Sequence, residues 1–267
     1  MMALPAMAPA ARAACPEMAE VARLAQAMLE RRPVAPGPAL GLADALCARD
    51  RLVAVLAQAF GDVVGHVVDV RFGAGQSLRG AVFFGTLREV SGAELPAHFA
   101  AVPLVQPALL LRMRRDLDPR LRLDHMTLLR HVDAVIPYLA LSDGVFAPGA
   151  PLGAERLLEI NLGTRAGVVG EPVPVTGIGD HAERLGRLEI VLTRDGEAIA
   201  AGAPRRHPLD LLAWLVAELA REERYLRAEE HVALTGFLPA RPAAPGMYRL
   251  TYSGLAAQPV AVSVTLQ

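Results

Sequence analysis

Apolar and polar positions along this chain switch between two rhythms. From Pro16, apolar residues recur at helical spacing, with Met18, Val21, Ala25, Met28 and Leu29 on one face. Arg32-Pro-Val-Ala-Pro-Gly-Pro38 breaks that helix, and a second is predicted from about Leu42 to Phe60. The rhythm then shortens. Residues 62–70 and 80–87 read as strands, joined by a loop over 72–79. Residues 103–111 are apolar at eight of nine positions, as in a strand buried on both faces. Asp124 is placed to cap a helix carrying Leu128, Leu129, Val132 and Val135. Residues 136–143 are extended and apolar, a Gly/Pro-rich loop runs to Gly153, and 155–169 read as a short helix leading into a strand. Residues 188–201 form the clearest hairpin, because Asp195-Gly196 suits a tight primed turn. His207-Pro208 opens a helix through Trp214 to about Arg221, and strands near 231–236, 247–253 and 260–266 finish the chain. Antiparallel-looking strands with a few inserted helices predict an α+β or barrel-like fold, not a βαβ repeat.

Composition narrows the classes. Hydrophobic residues make up 53% of the 267, enough for a sizeable core, and a net charge of -1 supplies no footprint for nucleic acid or an anionic membrane. No apolar run approaches the roughly 20 residues of a membrane span. All 27 basic residues are arginine, which excludes Schiff-base catalysis, a lysine general base and a Walker-type phosphate lysine. The glycines of GAGQSLRG (73–80) fit no phosphate motif, so that segment reads as a plain turn. The two cysteines, Cys15 and Cys47, have no histidine near them in sequence, which disfavours zinc. They are expected to join as one disulfide stapling the N-terminal helices, in an oxidising compartment. Ala11-Arg12-Ala13 has the shape of an export-signal end, although a basic n-region and a full apolar h-region are missing. A periplasmic or otherwise exported protein is expected, with the cytoplasm as the alternative.

Candidate chemistry is sparse. On the apolar strand the inward positions are Gln106, Ala108 and Leu110, none of which binds a metal tightly or moves a proton near neutral pH. His66 offers a possible general base. Asp143 offers a cation ligand or a turn cap before Gly144, and His207 a helix cap or pocket wall. Arg71 and Arg79 could pair a carboxylate ligand bidentately, or be surface charge. His125 and His131, six apart, have the wrong spacing to chelate from one helix face. No serine carries the glycine flanks of a nucleophile elbow.

Several segments occur together in a familiar order: Gly85-Thr86-Leu87, Ile136-Pro137, the run from Asn161 to Gly170, His207-Pro-Leu with Trp214-Leu215, and Leu234-Thr-Gly236. From about Leu42 onward the chain resembles the 2-keto-4-pentenoate hydratase and oxalocrotonate decarboxylase branch of the fumarylacetoacetate hydrolase superfamily. Its N-terminus with two cysteines resembles an exported subgroup. The resemblance implies a mixed, flattened β-barrel or roll with a small 2-keto acid pocket. It divides the chain into a tail or signal remnant (1–14), an N-terminal helical segment (15–60) and a hydratase-like barrel domain (61–267). It also implies a magnesium or manganese ion held by carboxylates at the positions of Gln106, Ala108 and Ala140, and a lysine at the position of Val67. This sequence keeps none of these, and no Glu or Asp lies between Ala97 and Asp116. The expectation is therefore a protein without metal or other cofactor, probed through Gln106, Ala108, Ala140, His207, Arg71 and Arg79. It would bind a small hydrophobic or 2-keto-acid-like ligand, or a protein partner. A metal-independent hydratase, decarboxylase or isomerase using His66, Asp143 and His207 is the alternative. A third reading is a structural or assembly role through homo-oligomer contacts.

Overall fold

The computed structural model describes residues 15–70, 77–87, 89–147 and 152–267. The first 14 residues, Arg71 and most of the GAGQSLRG turn lie outside them. Helices α1 (Met18–Leu29) and α2 (Leu42–Phe60) come first. The Cys15–Cys47 disulfide ties them, with Cα atoms 5.6 Å apart and a sequence separation of 32. Closing a loop of that length contributes about 3–4 kcal/mol.

Strands β1 (Val63–Asp69) and β2 (Leu78–Phe83) follow, then the short β3 (Glu89–Val90) and β4 (Ala93–Leu95). The two longest strands, β5 (Pro103–Met113) and β6 (Val132–Asp143), flank the short helix α3 (His125–Leu129). Asp124 caps α3 as expected, its side chain accepting from Thr127 N. The helix ends before Val132, however, and Val132 and Val135 belong to β6. Their β-branched side chains suit the strand, which pairs along the full length of β5. Helix α4 (Ala154–Glu159) leads to β7 (Thr164–Val169) and β8 (Val173–Pro174), and α5 (Ile178–Leu185) precedes the hairpin β9 (Glu189–Arg194) and β10 (Glu197–Gly202). Both turn residues of that hairpin have positive φ, Asp195 at 51° and Gly196 at 85°, as a type I′ turn requires. Helix α6 (Pro208–Arg221) and strands β11 (His231–Thr235), β12 (Arg241–Pro242), β13 (Gly246–Ser253) and β14 (Val260–Leu266) complete the chain.

The strands form two open sheets. The larger runs β2-β1-β11-β5-β6-β7-β3, with β12 added to β5 and β8 to β6; the smaller runs β10-β9-β13-β14-β4. The expected mixed α+β fold is present, and the flattened barrel takes the form of these two open layers. The burial of β5 on both faces explains its nearly unbroken apolar run. Val105, Leu109 and Leu111 pack towards α6 and the smaller sheet. Ala108 and Leu110 pack towards α1, α2 and α4. Pro107 is tolerated in this central strand because it falls at a gap, between Leu109–Arg112 pairing with β11 and Leu104–Val105 pairing with β12. In that gap the Ala108 carbonyl accepts a 2.6 Å hydrogen bond from Tyr252 Oη of the smaller sheet.

Between α4 and β7 the residues Asn161, Leu162 and Gly163 all have positive φ, at 51°, 56° and 69°. The buried Asn161 carboxamide accepts from Ala81 N at 2.7 Å and donates to Ala81 O at 3.0 Å. This doubly bonded contact fixes the chain beside β2 before it enters β7.

Candidate functional site

Five neighbouring strands of the larger sheet bring one set of side chains to a common centre on its α1/α2 side. Val67 (β1), Ala233 and Thr235 (β11), Gln106 (β5), Tyr138, Ala140 and Ser142 (β6), and Thr164 and Ala166 (β7) line it, with Val82 and Leu162 closing the sides. The register explains the gathering. Gln106 pairs with Ala140, Ala140 with Gly167, and Val67 with Ala233, so alternate residues of adjacent strands share a face. Gln106 is buried, its Nε2 donates to Ser142 Oγ at 3.2 Å, and its Oε1 has no hydrogen-bond partner.

The cavity left among these groups is about 20 Å³. That is room for roughly one water molecule, against the ~300 Å³ or more of a small-molecule site. Tyr138 accounts for much of the filling. Its ring lies over Gly167 so closely that a Cβ there would sit 1.9 Å from the phenol oxygen. Burial pushes the Tyr138 phenol above its ordinary pKa, so it stays a neutral group. Ala108, at zero exposure, pairs with Tyr138 and lies one step along the strand from the lining.

The donor set does not fit a hard divalent cation. The lining offers one amide oxygen and hydroxyls, where such an ion takes several carboxylate oxygens. Asp69 is fully buried and accepts a hydrogen bond from Oγ1 of the lining residue Thr235 at 3.0 Å, but is not itself in the lining.

The other sequence candidates lie elsewhere. His66 is adjacent to Val67 in β1 and therefore faces the opposite side of the sheet, beside Val68 and Arg79 on the α6 side. There it is buried with Nδ1 unpartnered, and its pKa is pushed down to about 3, by burial first and then by Arg79, Arg224 and Arg49. Arg79 is also buried and pairs with Glu222 at the end of α6, leaving Nε without a partner. Asp143 ends β6 and spends its carboxylate on three backbone N–H groups: Ala101 at 3.2 Å, Val102 at 2.9 Å and Val145 at 2.8 Å. His207 caps α6, its Nδ1 accepting from Leu209 N at 3.1 Å, while Nε2 bonds Ala182 O at 3.0 Å. Its ring stacks on His125 at 4.0 Å. Gln106 and Ala140 thus meet in one centre, with Ala108 beside them; His66, Arg79, Asp143 and His207 do not join them. Arg71 lies outside the described residues.

Sequence reasoning did not single out Tyr138, Gly167, Thr235 or Asp69 as parts of this centre. The period-2 series Tyr138, Ala140, Ser142 would have found the first of them.

A larger groove lies on the same side of the molecule. It has a volume of about 470 Å³ between α1, the 32–40 connection and Phe146, with Val21, Leu24, Val34 and Leu40 on its walls and Arg23 and Arg32 among its polar residues.

No family model matches the sequence, and no curated protein does so significantly. Solved structures do match. The chain is similar to 4-oxalocrotonate decarboxylase from Pseudomonas putida G7, complexed with magnesium and adipate, with a TM-score of 0.79 at 18% identity over 94% of this chain and 97% of that one. It is also similar to 2-hydroxyhepta-2,4-diene-1,7-dioate isomerase from Mycobacterium marinum, with a TM-score of 0.53 at 10% identity over 76% and 75% of the two chains. Fumarylpyruvate hydrolase from Pseudomonas aeruginosa, in complex with Mn2+ and pyruvate, gives a TM-score of 0.50 at 16% identity over 76% and 89%. The chain has the fumarylacetoacetate hydrolase fold. Within that fold its shape is nearer to the decarboxylase structure, with a TM-score of 0.79, than to the isomerase or the hydrolase, at 0.53 and 0.50.

Proposed function

We propose that this chain is a non-catalytic relative of the 2-keto acid enzymes that share its fold, and that it acts by binding. The observation that carries this reading is the filled centre. Gln106, Ala108, Ala140 and Val67 stand where the resemblance expects ligands and a lysine, and the remaining cavity is about 20 Å³. A carboxylate-free lining of that size favours neither an enolate-stabilising cation nor a bound 2-keto acid. A metal-free mechanism gains nothing from His66, which faces the other side of the sheet.

The groove beside α1 is the better place for a ligand. Its volume of about 470 Å³ falls in the usual small-molecule range; its apolar walls suit a largely hydrophobic molecule, and Arg23 and Arg32, set among Glu20 and Glu159, offer partners for a single carboxylate. The Cys15–Cys47 disulfide holds the helix that walls this groove and is compatible with an exported protein.

The test is a panel of 2-keto acids and hydrophobic monocarboxylates. We expect no turnover of any 2-keto acid, with manganese or with chelator, and a melting-temperature rise with hydrophobic monocarboxylates that Leu24→Glu removes. Manganese-dependent turnover would overturn the non-catalytic reading. A monocarboxylate shift that survives Leu24→Glu would overturn the groove assignment.

A further inference from the structure

We propose that His125, His207 and Asp210 form a binding site for a late first-row divalent cation such as zinc, where α3 and α6 begin. One donor atom from each residue lies within 4.8 Å of the others. His125 opens α3, His207 is the N-cap of α6, and Asp210 lies in the first turn of α6. Residues 85 positions apart therefore meet because α3 packs against α6. His125 Nε2 already sits 2.7 Å from Asp210 Oδ1, a separation that only a small opening would convert into a shared ion.

The second layer fits as well. His207 Nε2 bonds the Ala182 carbonyl at 3.0 Å, the usual orienting contact of a ligating histidine, so Nδ1, which now accepts from Leu209 N, is the nitrogen that would turn to the metal. Two imidazoles and one carboxylate select zinc, nickel, cobalt or copper over magnesium and manganese, and three protein ligands leave a position for water or an external group.

Two features oppose binding. The ion must displace the Leu209 N–H that His207 Nδ1 now accepts, and the N-terminal dipole of α6 disfavours positive charge. Each costs up to roughly tenfold in affinity. The three protein ligands must outweigh both costs for the site to fill. The candidate is independent of the filled centre, which lies on the opposite face of the larger sheet.

The experiment is calorimetric titration of the tag-free full chain with zinc near neutral pH. We expect one saturable site at micromolar concentration, and no heat from magnesium at that site. His125→Ala and Asp210→Asn should each weaken zinc at least about tenfold, or about 1.4 kcal/mol. His207→Asn keeps a helix-capping side chain while removing the imidazole, and should weaken zinc to the same degree. His98→Ala, a histidine outside the cluster, should leave the titration unchanged. Absence of saturable binding, or affinity in the three cluster variants unchanged from that of the native chain, would overturn the proposal.

Discussion

On the face of the larger sheet covered by α1 and α2, alternate residues of five strands converge on alanines, valines, Tyr138 and a single amide. On the face covered by α6, β1 and β2 present His66 and Arg79, and Glu222 at the end of α6 meets Arg79. The first face gathers polar groups without a carboxylate around a cavity of about 20 Å³. The second has ionisable groups and no described cavity among them. What separates the two is a single step along a strand. His66 and Val67 are adjacent in sequence and serve different compartments. Chemistry near a site in sequence is therefore no guide to chemistry in the site when the element is a buried strand.

The contrast is best attacked first where the central face is fullest. Tyr138→Ala should cost about 3–5 kcal/mol, as for other large buried aromatic truncations, because the buried ring leaves a cavity behind. Urea unfolding measures it. A loss under about 1 kcal/mol would mean that the ring does not fill the centre.

Ala108→Phe asks the converse question. Ala108 has no exposed surface and pairs with Tyr138, so added volume should overpack the centre at about 1–3 kcal/mol. A neutral or stabilising result in the same assay would reveal room that the filled-centre picture denies.

The α6 face is probed by pH. His66 is held neutral by burial, with a folded pKa of about 3 against an ordinary value of 6.5. Because the folded value is the lower one, the unfolded chain takes up the proton first. The contribution is fully present above about pH 6.5 and is lost as pH falls towards about 3, at roughly 1 kcal/mol per pH unit. His66→Gln should flatten the slope of unfolding free energy between pH 6 and about 4 by that amount. Parallel slopes for the two proteins would show that His66 is not buried neutral.

Much of the fold was legible because the strands and long helices obey strong local rules. Asp195-Gly196 dictates its hairpin, Pro208 starts α6 with His207 as its cap, and the apolar run of β5 marks the buried centre. The α3 boundary was misjudged because Leu128, Leu129, Val132 and Val135 also satisfy helical spacing, and only pairing with β5 pulls the two valines into a strand. Gln106 and Ala140 were grouped only through the family resemblance, since alternation along one strand cannot say which residue of another strand faces it; the pairing of β5 with β6 sets them side by side. The filling of that site was not, because it depends on Tyr138 lying over Gly167, two residues on different strands whose fit is a matter of volume. The meeting of His125 with His207 was equally hidden, since helix-face spacing speaks only of neighbours such as His131.

One contact has a bearing on how the molecule behaves among its own copies. β2 is the outer strand of the larger sheet, and an outer strand is an open row of donors and acceptors on which another chain can add itself. The Asn161 carboxamide occupies the Ala81 rung of that row as a neighbouring strand would. Yet Asn161, Leu162 and Gly163 turn in a left-handed sense, so no second strand can continue from it. The side chain thus meets this rung from within the chain, at the cost of one amide. An acidic isostere there keeps the acceptor and loses the donor, leaving the buried Ala81 carbonyl without a partner.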